Sequence, residues 1–195
     1  STLDRSSAAS DVYKRQLVDK GVAHGYHDFN RDVLLRLVTE GTARVNAWAY
    51  TGLCWRMDSV QSYFKFNMDM LDTQIRHRLF TAELPVYTKV RDEMPARYGD
   101  NVTVVNSLVA DGCIIEGTVE NSVLARGVRI APGAHVKNCI IMQDGQVHND
   151  ASIENCILDK QTVIKRSARL IGPAAYPIVI AVSYTHLTLP TSDLV

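Results

Sequence analysis

The chain has 195 residues, 46% of them hydrophobic, and its 21 Lys and Arg residues balance 21 Asp and Glu residues. A net charge of zero gives no electrostatic basis for binding nucleic acid or an anionic membrane surface, so neither is an expected partner. No apolar run approaches the ~20 residues of a membrane span, and four cysteines without a CxxC pair are typical of an ordinary cytoplasmic protein.

The two ends of the chain are predicted not to be native sequence. Residues 6–16, SSAASDVYKRQ, are encoded by DNA that resembles a transposase-type sequencing-library adaptor. The reverse complement of that DNA, read in another frame, encodes VSYTHLTLPT, which is residues 182–191. A natural tail is the alternative. We assign residues 1–16 and 182–195 to the adaptor and exclude them from fold reasoning, which leaves an internal piece of a longer protein.

A helix is predicted at residues 28–40, DFNRDVLLRLVTE. Asp28 can cap its first turn and Gly41 can end it. Its apolar face would consist of Phe29, Val33, Leu34 and Leu37.

A strand and a second helix are predicted next. Residues 44–50 are strand-like, and Asp58 or Ser59 can cap the helix that follows. The apolar face of that helix would be Val60, Tyr63, Phe64, Met68 and Leu71. These elements are too few for a domain, so residues 17–78 are interpreted as the remnant of an α/β domain. Residues 79–99, which include two prolines, are interpreted as a connector.

Four similar boxes follow, each with Asn, a small residue and two aliphatic residues. Successive boxes start 15, 17 and 17 residues apart: Asn106–Val109, Asn121–Leu124, Asn138–Ile141 and Asn155–Leu158. Between boxes, apolar residues recur every five or six positions, which suits neither a helix nor a free-standing alternating strand. Three such units per repeat predict a triangular parallel β-helix at residues 100–172, with coils ~4.8 Å apart, and a truncated continuation at 173–181.

Each position of the box has a predicted role in this β-helix. The asparagines would stack as a ladder of amides, and the next column needs small side chains: Ser107, Ser122, Cys139 and Cys156. Five glycines would lie at corners or where no Cβ fits: Gly112, Gly117, Gly127, Gly133 and Gly145. A disulfide or a metal site is the alternative for Cys139 and Cys156.

The sequence resembles the C-terminal half of bacterial ADP-glucose pyrophosphorylase (glucose-1-phosphate adenylyltransferase). The resemblance rests on HDFNRDV, GLCWRMDSVQSYFKFNMDML, PVYTKV and, most specifically, SLVADGCIIEGTVENSVL. It implies a left-handed β-helix that follows an α/β nucleotidyltransferase domain. It also implies a role in glycogen biosynthesis, where the family joins ATP and glucose 1-phosphate into ADP-glucose and pyrophosphate with Mg²⁺.

One departure from the family pattern concerns the metal. Catalytic members carry an Asp that helps hold magnesium, and Arg56 stands there in this chain. A guanidinium cannot ligate Mg²⁺, so we assign the chain no metal ligand. We also assign it no catalytic residue and no bound cofactor, since Mg²⁺ and ATP belong to the parent family. Asp58 is the fallback ligand if the alignment is shifted. SVQSYFKFNMDML also resembles the GlgD-type second subunit, regarded as regulatory, which implies a hetero-oligomer with a catalytic subunit.

The remaining candidate site is basic. Lys160, Lys165 and Arg166 could hold a phosphorylated effector, although a solvated surface is the alternative. The competing functions are a catalytic subunit of the same enzyme, a related sugar nucleotidyltransferase and a hexapeptide acyltransferase. The acyltransferases on this fold use a catalytic His, for which His135 and His148 are the candidates, and neither lies in a long inserted loop.

Overall fold

The computed structural model describes residues 15, 19, 21, 23–41, 44–81, 83, 85–87 and 92–181. The chain divides into two compact units, Ser1–Gly52 and Leu53–Val195. Of the predicted adaptor segments only Arg15 belongs to the described residues, so their assignment stays a prediction. Among the helices that can be described, none is long and apolar enough to cross a membrane.

In the first unit, the predicted helix forms directly after Asp28. Its first six residues, Phe29–Leu34, are a π-helix, and Leu35–Thr39 continue it as helix α1. The Asp28 carboxylate accepts a hydrogen bond from the backbone N–H of Arg31 at 2.8 Å, which satisfies one unpaired donor of the first turn. Gly41 follows the helix with a φ of 62°, the left-handed conformation typical of a helix end.

Two details of this unit differ from the prediction. Phe29, the first residue of the π-helix, is 58% exposed rather than part of a buried apolar face. The predicted strand at residues 44–50 is wrong: these residues are exposed and belong to no sheet. A strand needs a neighbour for its N–H and C=O groups, and the described part of this unit contains no second strand.

The second unit begins with two helices. Helix α2 (Val60–Asp69) is capped by Ser59 rather than Asp58, since Ser59 and Ser62 each accept a hydrogen bond from the other's backbone N–H, at 3.1 and 3.0 Å. The sequence analysis missed helix α3 (Thr73–Leu79), which begins at a cap made by Asp72. Both helices precede the solenoid and supply apolar side chains on one of its sides.

The rest of this unit is a parallel solenoid. Its described strands are β1 (Arg97–Tyr98), β2 (Thr103–Val105), β3 (Leu108–Val109), β4 (Ile114–Ile115), β5 (Thr118–Glu120), β6 (Val123–Leu124), β7 (Arg129–Ile130), β8 (His135–Lys137), β9 (Ile140–Ile141), β10 (Gln146–Val147), β11 (Ser152–Glu154), β12 (Cys156–Leu158), β13 (Val163–Ile164), β14 (Arg169–Ile171) and β15 (Ile178–Ile180). Each strand pairs in parallel with the strand three positions away along the chain, on both sides for β4–β12 and on one side for the first three and last three strands.

The pairing gives three five-stranded sheets and confirms the predicted parallel β-helix. Sheet A contains β1, β4, β7, β10 and β13; sheet B contains β2, β5, β8, β11 and β14; sheet C contains β3, β6, β9, β12 and β15. The ladder starts at Arg97, inside the predicted connector, and extends to Ile180. The left-handed sense of winding stays a prediction.

The core lies inside the triangle, because each strand from β2 onward turns an aliphatic residue inward. Parallel in-register pairing stacks like residues on one another, as in the column Val104, Val119, Val136, Ile153 and Leu170 of sheet B. Twelve fully or nearly fully buried residues form three such columns: Ile115, Ile130, Val147 and Ile164; Val119, Val136, Ile153 and Leu170; Leu124, Ile141, Leu158 and Ile180.

The corners between sheets need left-handed backbone, and the sequence supplies it. The corner before sheet C is made by the four box asparagines, with φ between 44° and 53°. Gly112, Gly127 and Gly133 also have positive φ, as predicted. Gly117 is at a position with no room for a Cβ, since a Cβ there would lie 2.5 Å from the carbonyl oxygen of Ala134.

Candidate functional site

Arg56, which the resemblance places at the family's magnesium position, lies in a segment without regular secondary structure before helix α2. Its Nε is 3.0 Å from Oδ2 of Asp58, the fallback metal ligand. Both side chains are well exposed, at 87% and 56%. A guanidinium has no acceptor, and its positive charge beside the only candidate carboxylate would repel a cation. The pair therefore does not fit the oxygen-donor set that magnesium requires.

The predicted effector residues lie at two corners of the solenoid. Lys160 lies between β12 and β13, where its backbone N–H donates to Oδ1 of Asp159 at 2.7 Å. Lys165 and Arg166 lie at the next corner, between β13 and β14. Nη2 of Arg166 is 3.4 Å from Oδ2 of Asp150, so that guanidinium already has a carboxylate neighbour. A phosphorylated ligand at these residues stays a prediction.

The small-residue column before sheet C is structural. Oγ of Ser107 accepts from the backbone N–H of Ser122 at 3.1 Å, and Oγ of Ser122 accepts from the N–H of Cys139 at 3.0 Å. The thiols of Cys139 and Cys156 donate to the carbonyl oxygens of Lys137 and Glu154, at 3.0 and 3.1 Å. The two serine side chains thus form hydrogen bonds between successive coils, and the two thiols form hydrogen bonds within their own coil.

All four cysteines are free, so the alternative of a Cys139–Cys156 disulfide is not supported. The pKa values of the two thiols shift in opposite directions: burial raises the pKa of Cys139, while the neighbouring Cys139 thiol lowers the pKa of Cys156. Within the described residues no three His, Cys, Asp or Glu side chains group as a metal site would need.

The two histidines of the solenoid are surface residues. His135 starts β8 and points outward, and His148 follows β10; both are exposed. His135 lies in sheet B, whereas His148 lies at the corner between sheets A and B, after β10 and before β11. Among the described residues no hydrogen bond or ion pair joins either side chain to a second catalytic group, so the acyltransferase hypothesis gains no support.

Sequence reasoning missed two concave surfaces. One has a volume of about 690 Å³ and lies on the outer face of sheet A, where Arg97 and Arg129 flank Ile114 beside Glu93 and Asp144. The other, of about 550 Å³, lies between helices α2 and α3 and the asparagine ladder. The sequence pattern could have predicted the surface on sheet A, because the residue before each inward aliphatic residue of that sheet must face outward. No local pattern predicts the second.

Comparison with known proteins gives consistent results. A family described as "GlmU-like, C-terminal hexapeptide" matches residues 92–174. The glycogen biosynthesis protein GlgD of Bacillus subtilis (strain 168) is 41% identical over 133 residues, covering 68% of this chain and 39% of that protein. GlgD of Geobacillus stearothermophilus is 51% identical over 70 residues, covering 36% of this chain and 20% of that protein.

A catalytic relative is more distant but matches more of the chain. The glucose-1-phosphate adenylyltransferase of Acetivibrio thermocellus is 31% identical over 164 residues, which cover 82% of this chain and 38% of that protein. The chain therefore spans less than half the length of the curated relatives it matches.

Proposed function

We propose that this chain, which belongs to the GlgD-type branch of the ADP-glucose pyrophosphorylase family, is part of a regulatory subunit of that enzyme in glycogen biosynthesis. The whole protein would consist of an α/β nucleotidyltransferase domain, of which residues 17–78 are the end, followed by the β-helix. The main observation behind the proposal is the extent of the similarity to GlgD. Its 133 aligned residues exceed the length of the solenoid, so the similarity is not that of any hexapeptide protein.

The regulatory role, rather than a catalytic one, is supported by the pair of Arg56 and Asp58. If Arg56 aligns with the metal ligand of catalytic members, this subunit places a cation where they place a carboxylate. The 3.0 Å contact occupies Asp58 as well, so the fallback ligand gains no support. A metal that neutralises developing charge contributes several kcal/mol to phosphoryl-type transfer, and its loss alone should slow the reaction by at least ~10³-fold.

A catalytic subunit is the second candidate. Its support is the similarity to the Acetivibrio thermocellus adenylyltransferase over 164 residues, more of the chain than GlgD matches. Higher identity to two GlgD proteins, at 41% and 51%, favours the regulatory role.

The regulatory proposal implies a partner and an effector. The partner would be a catalytic glucose-1-phosphate adenylyltransferase subunit in a hetero-oligomer, and the effector a phosphorylated metabolite near Lys160, Lys165 and Arg166. A cytoplasmic location is part of the proposal, and four free cysteines are consistent with a reducing compartment.

The test is the activity of the purified full-length protein alone. With ATP, glucose 1-phosphate and Mg²⁺, we expect pyrophosphate release at least ~10³-fold slower than that of a catalytic adenylyltransferase under the same conditions. An Arg56→Asp variant serves as the matched probe, since a gain of activity would link the defect to the metal position. A rate for the unaltered protein within tenfold of the catalytic enzyme would refute the regulatory role.

A further inference from the structure

The asparagine ladder forms one wall of a groove. This groove has a volume of about 550 Å³ and is lined by Asn106, Asn121, Asn138 and Asn155 on the solenoid side. Helices α2 and α3 form the opposite wall. The volume lies within the range of ~300–1,000 Å³ that small-ligand sites usually have. Both walls belong to the second compact unit, Leu53–Val195.

The ladder presents its amides in a fixed and repeating array. All four asparagines have a left-handed backbone, so their side chains project from the corner of the solenoid in the same way. Nδ2 of Asn106 donates to Oδ1 of Asn121 at 2.7 Å, Nδ2 of Asn138 donates to Oδ1 of Asn155 at 3.2 Å, and Nδ2 of Asn155 donates to the carbonyl of Gly172 at 2.8 Å. Successive amides therefore follow the coil spacing of ~4.8 Å.

The ladder leaves hydrogen-bonding capacity for a ligand. Each amide has two N–H donors and a carbonyl with two lone pairs, and a contact to one neighbour uses only part of this set. Asn121 and Asn138 are half-buried and Asn106 is exposed, so their outer edges can be reached from the groove. Both donors and acceptors are thus offered at regular intervals along one line.

The helical wall is apolar with carboxylates beside it. Phe64, Met68, Leu71 and Ile75 provide the apolar surface. Asp69 is held in place by Nζ of Lys65 at 2.7 Å and by the indole N–H of Trp55 at 3.3 Å. Oδ1 of Asp72 accepts the backbone N–H of Gln74 at 2.7 Å, which fixes that carboxylate at the start of helix α3.

These linings select one class of ligand. Among the described residues that line the groove, two are carboxylates and none is a Lys or Arg, so the lining offers an anion no cationic partner, and the nearby ammonium of Lys65 is already paired with Asp69. A purely apolar ligand would leave the amides unpaired, which costs binding free energy. A sugar ring has hydroxyl groups for amides and carboxylates and a C–H face for an apolar wall. We propose that this groove binds a linear, neutral oligosaccharide, with successive sugar units along the asparagine ladder.

Glycine substitutions test the ladder without breaking the corner. Gly172 occupies the corner position after Asn155, since its N–H donates to the carbonyl of Glu154 as the N–H of Asn155 donates to that of Lys137. Gly172 lacks the positive φ of the asparagines, but glycine adopts left-handed backbone without a Cβ penalty, so Asn121→Gly and Asn138→Gly remove an amide at φ values of 44° and 49° that glycine accepts. Gln161→Gly is the matched control: Gln161 is an exposed left-handed corner residue with a φ of 58°, and it does not line the groove.

The experiment titrates the full-length protein with maltohexaose and, separately, cellohexaose, and follows binding by saturation-transfer difference NMR. We expect at least one hexaose to bind with a Kd of about 1 mM or tighter, and the better one identifies the linkage. Asn121→Gly and Asn138→Gly should each weaken binding about fivefold, as expected for one lost hydrogen bond, and Gln161→Gly should leave it unchanged. If a glycine variant does not fold, Asn121→Asp replaces it, because Asp keeps the shape and loses the donor.

Three results would overturn the proposal. They are the binding of neither hexaose, binding that is unchanged in the ladder variants, and binding that weakens equally in Gln161→Gly. The regulatory assignment would stand in each case, since it depends on the subunit's effect on a catalytic partner and not on this groove.

Discussion

Single residues determine the corners of this solenoid. Asn121 adopts a φ of 44°, a conformation that costs most residues with a Cβ roughly 1–2 kcal/mol but that Asn and Gly accept more readily. The sequence predicted an amide ladder here because Asn recurs at the same place in every box, but not this left-handed conformation. It did not indicate Asp144, Asp150, Gln161 and Ser167, which have positive φ at the other corners. Their residue types vary, so only the coil register identifies them.

The corner conformation predicts a difference between two substitutions of Asn121. Asn121→Ala loses the amide and also strains the backbone, whereas Asn121→Gly loses only the amide. We expect the free energy of unfolding of the alanine variant to be lower than that of the glycine variant by ~1 kcal/mol, as obtained from urea unfolding curves. An alanine variant as stable as the glycine variant would contradict the left-handed corner.

Thiol chemistry gives a second prediction at this scale. Burial raises the pKa of Cys139 and of Cys113, so both stay protonated and out of reach of reagents at pH 8, whereas Cys54 is exposed. We expect a thiol reagent to modify Cys54 rapidly in the native protein and Cys113, Cys139 and Cys156 only after unfolding. Mass spectrometry of peptides identifies the modified sites. Rapid native labelling of Cys139 would show that the column is not packed as described.

At the scale of elements, the repeat made most strands predictable. The recurrence of an aliphatic residue every five or six positions predicted inward positions such as Val119, Val136 and Ile153, which are buried. β1 was missed because Arg97–Tyr98 carries no inward aliphatic residue, and its pairing depends on Ile114–Ile115. Residues 44–50 look like a strand locally but lack a neighbour in the described part of their unit. A local sequence pattern does not predict a strand correctly where tertiary contacts determine whether it forms.

Strand β11 offers a test of the core with an internal control. Ile153 is 1% exposed, and its truncation to Ala should destabilise the protein by ~2–4 kcal/mol through lost burial and a cavity. Ser152 precedes it on the outward side of the same strand, so Ser152→Ala should change stability by less than ~0.5 kcal/mol. The difference is read from urea unfolding followed by circular dichroism. Similar effects for both would mean that the strand's inward face is misassigned.

At the scale of the whole molecule, two boundaries follow from the sequence rather than from the structure. If residues 1–16 and 182–195 derive from an adaptor, they were not selected with this core and contribute little to it. A chain of residues 17–181 should then melt within about 2 °C of the 195-residue chain, which corresponds to less than ~1 kcal/mol. Scanning calorimetry of the two chains makes the comparison. A markedly lower melting temperature for the shorter chain would mean that the ends are part of the fold.

The groove and the ion pair at Arg56 show what the sequence could not determine about the site. Arg56 was recognised from a motif, but its contact with Asp58 depends on backbone geometry between them. The groove joins residues 64–75, on two helices and the turn between them, to asparagines that lie 31 to 91 residues further along the chain. No spacing rule predicts such an encounter, whereas the ladder that forms one of its walls was predicted from the repeat.

The central claim, a regulatory subunit, is tested most directly by mixing. The full-length protein is titrated into a catalytic glucose-1-phosphate adenylyltransferase from the same source, and pyrophosphate release is followed at saturating ATP and glucose 1-phosphate. We expect little activity from the titrant alone and a saturable change in the partner's maximal rate, or in its response to a phosphorylated effector, that levels off at a fixed ratio of the two chains. A partner rate that stays the same at every ratio, with and without effector, would contradict the claim.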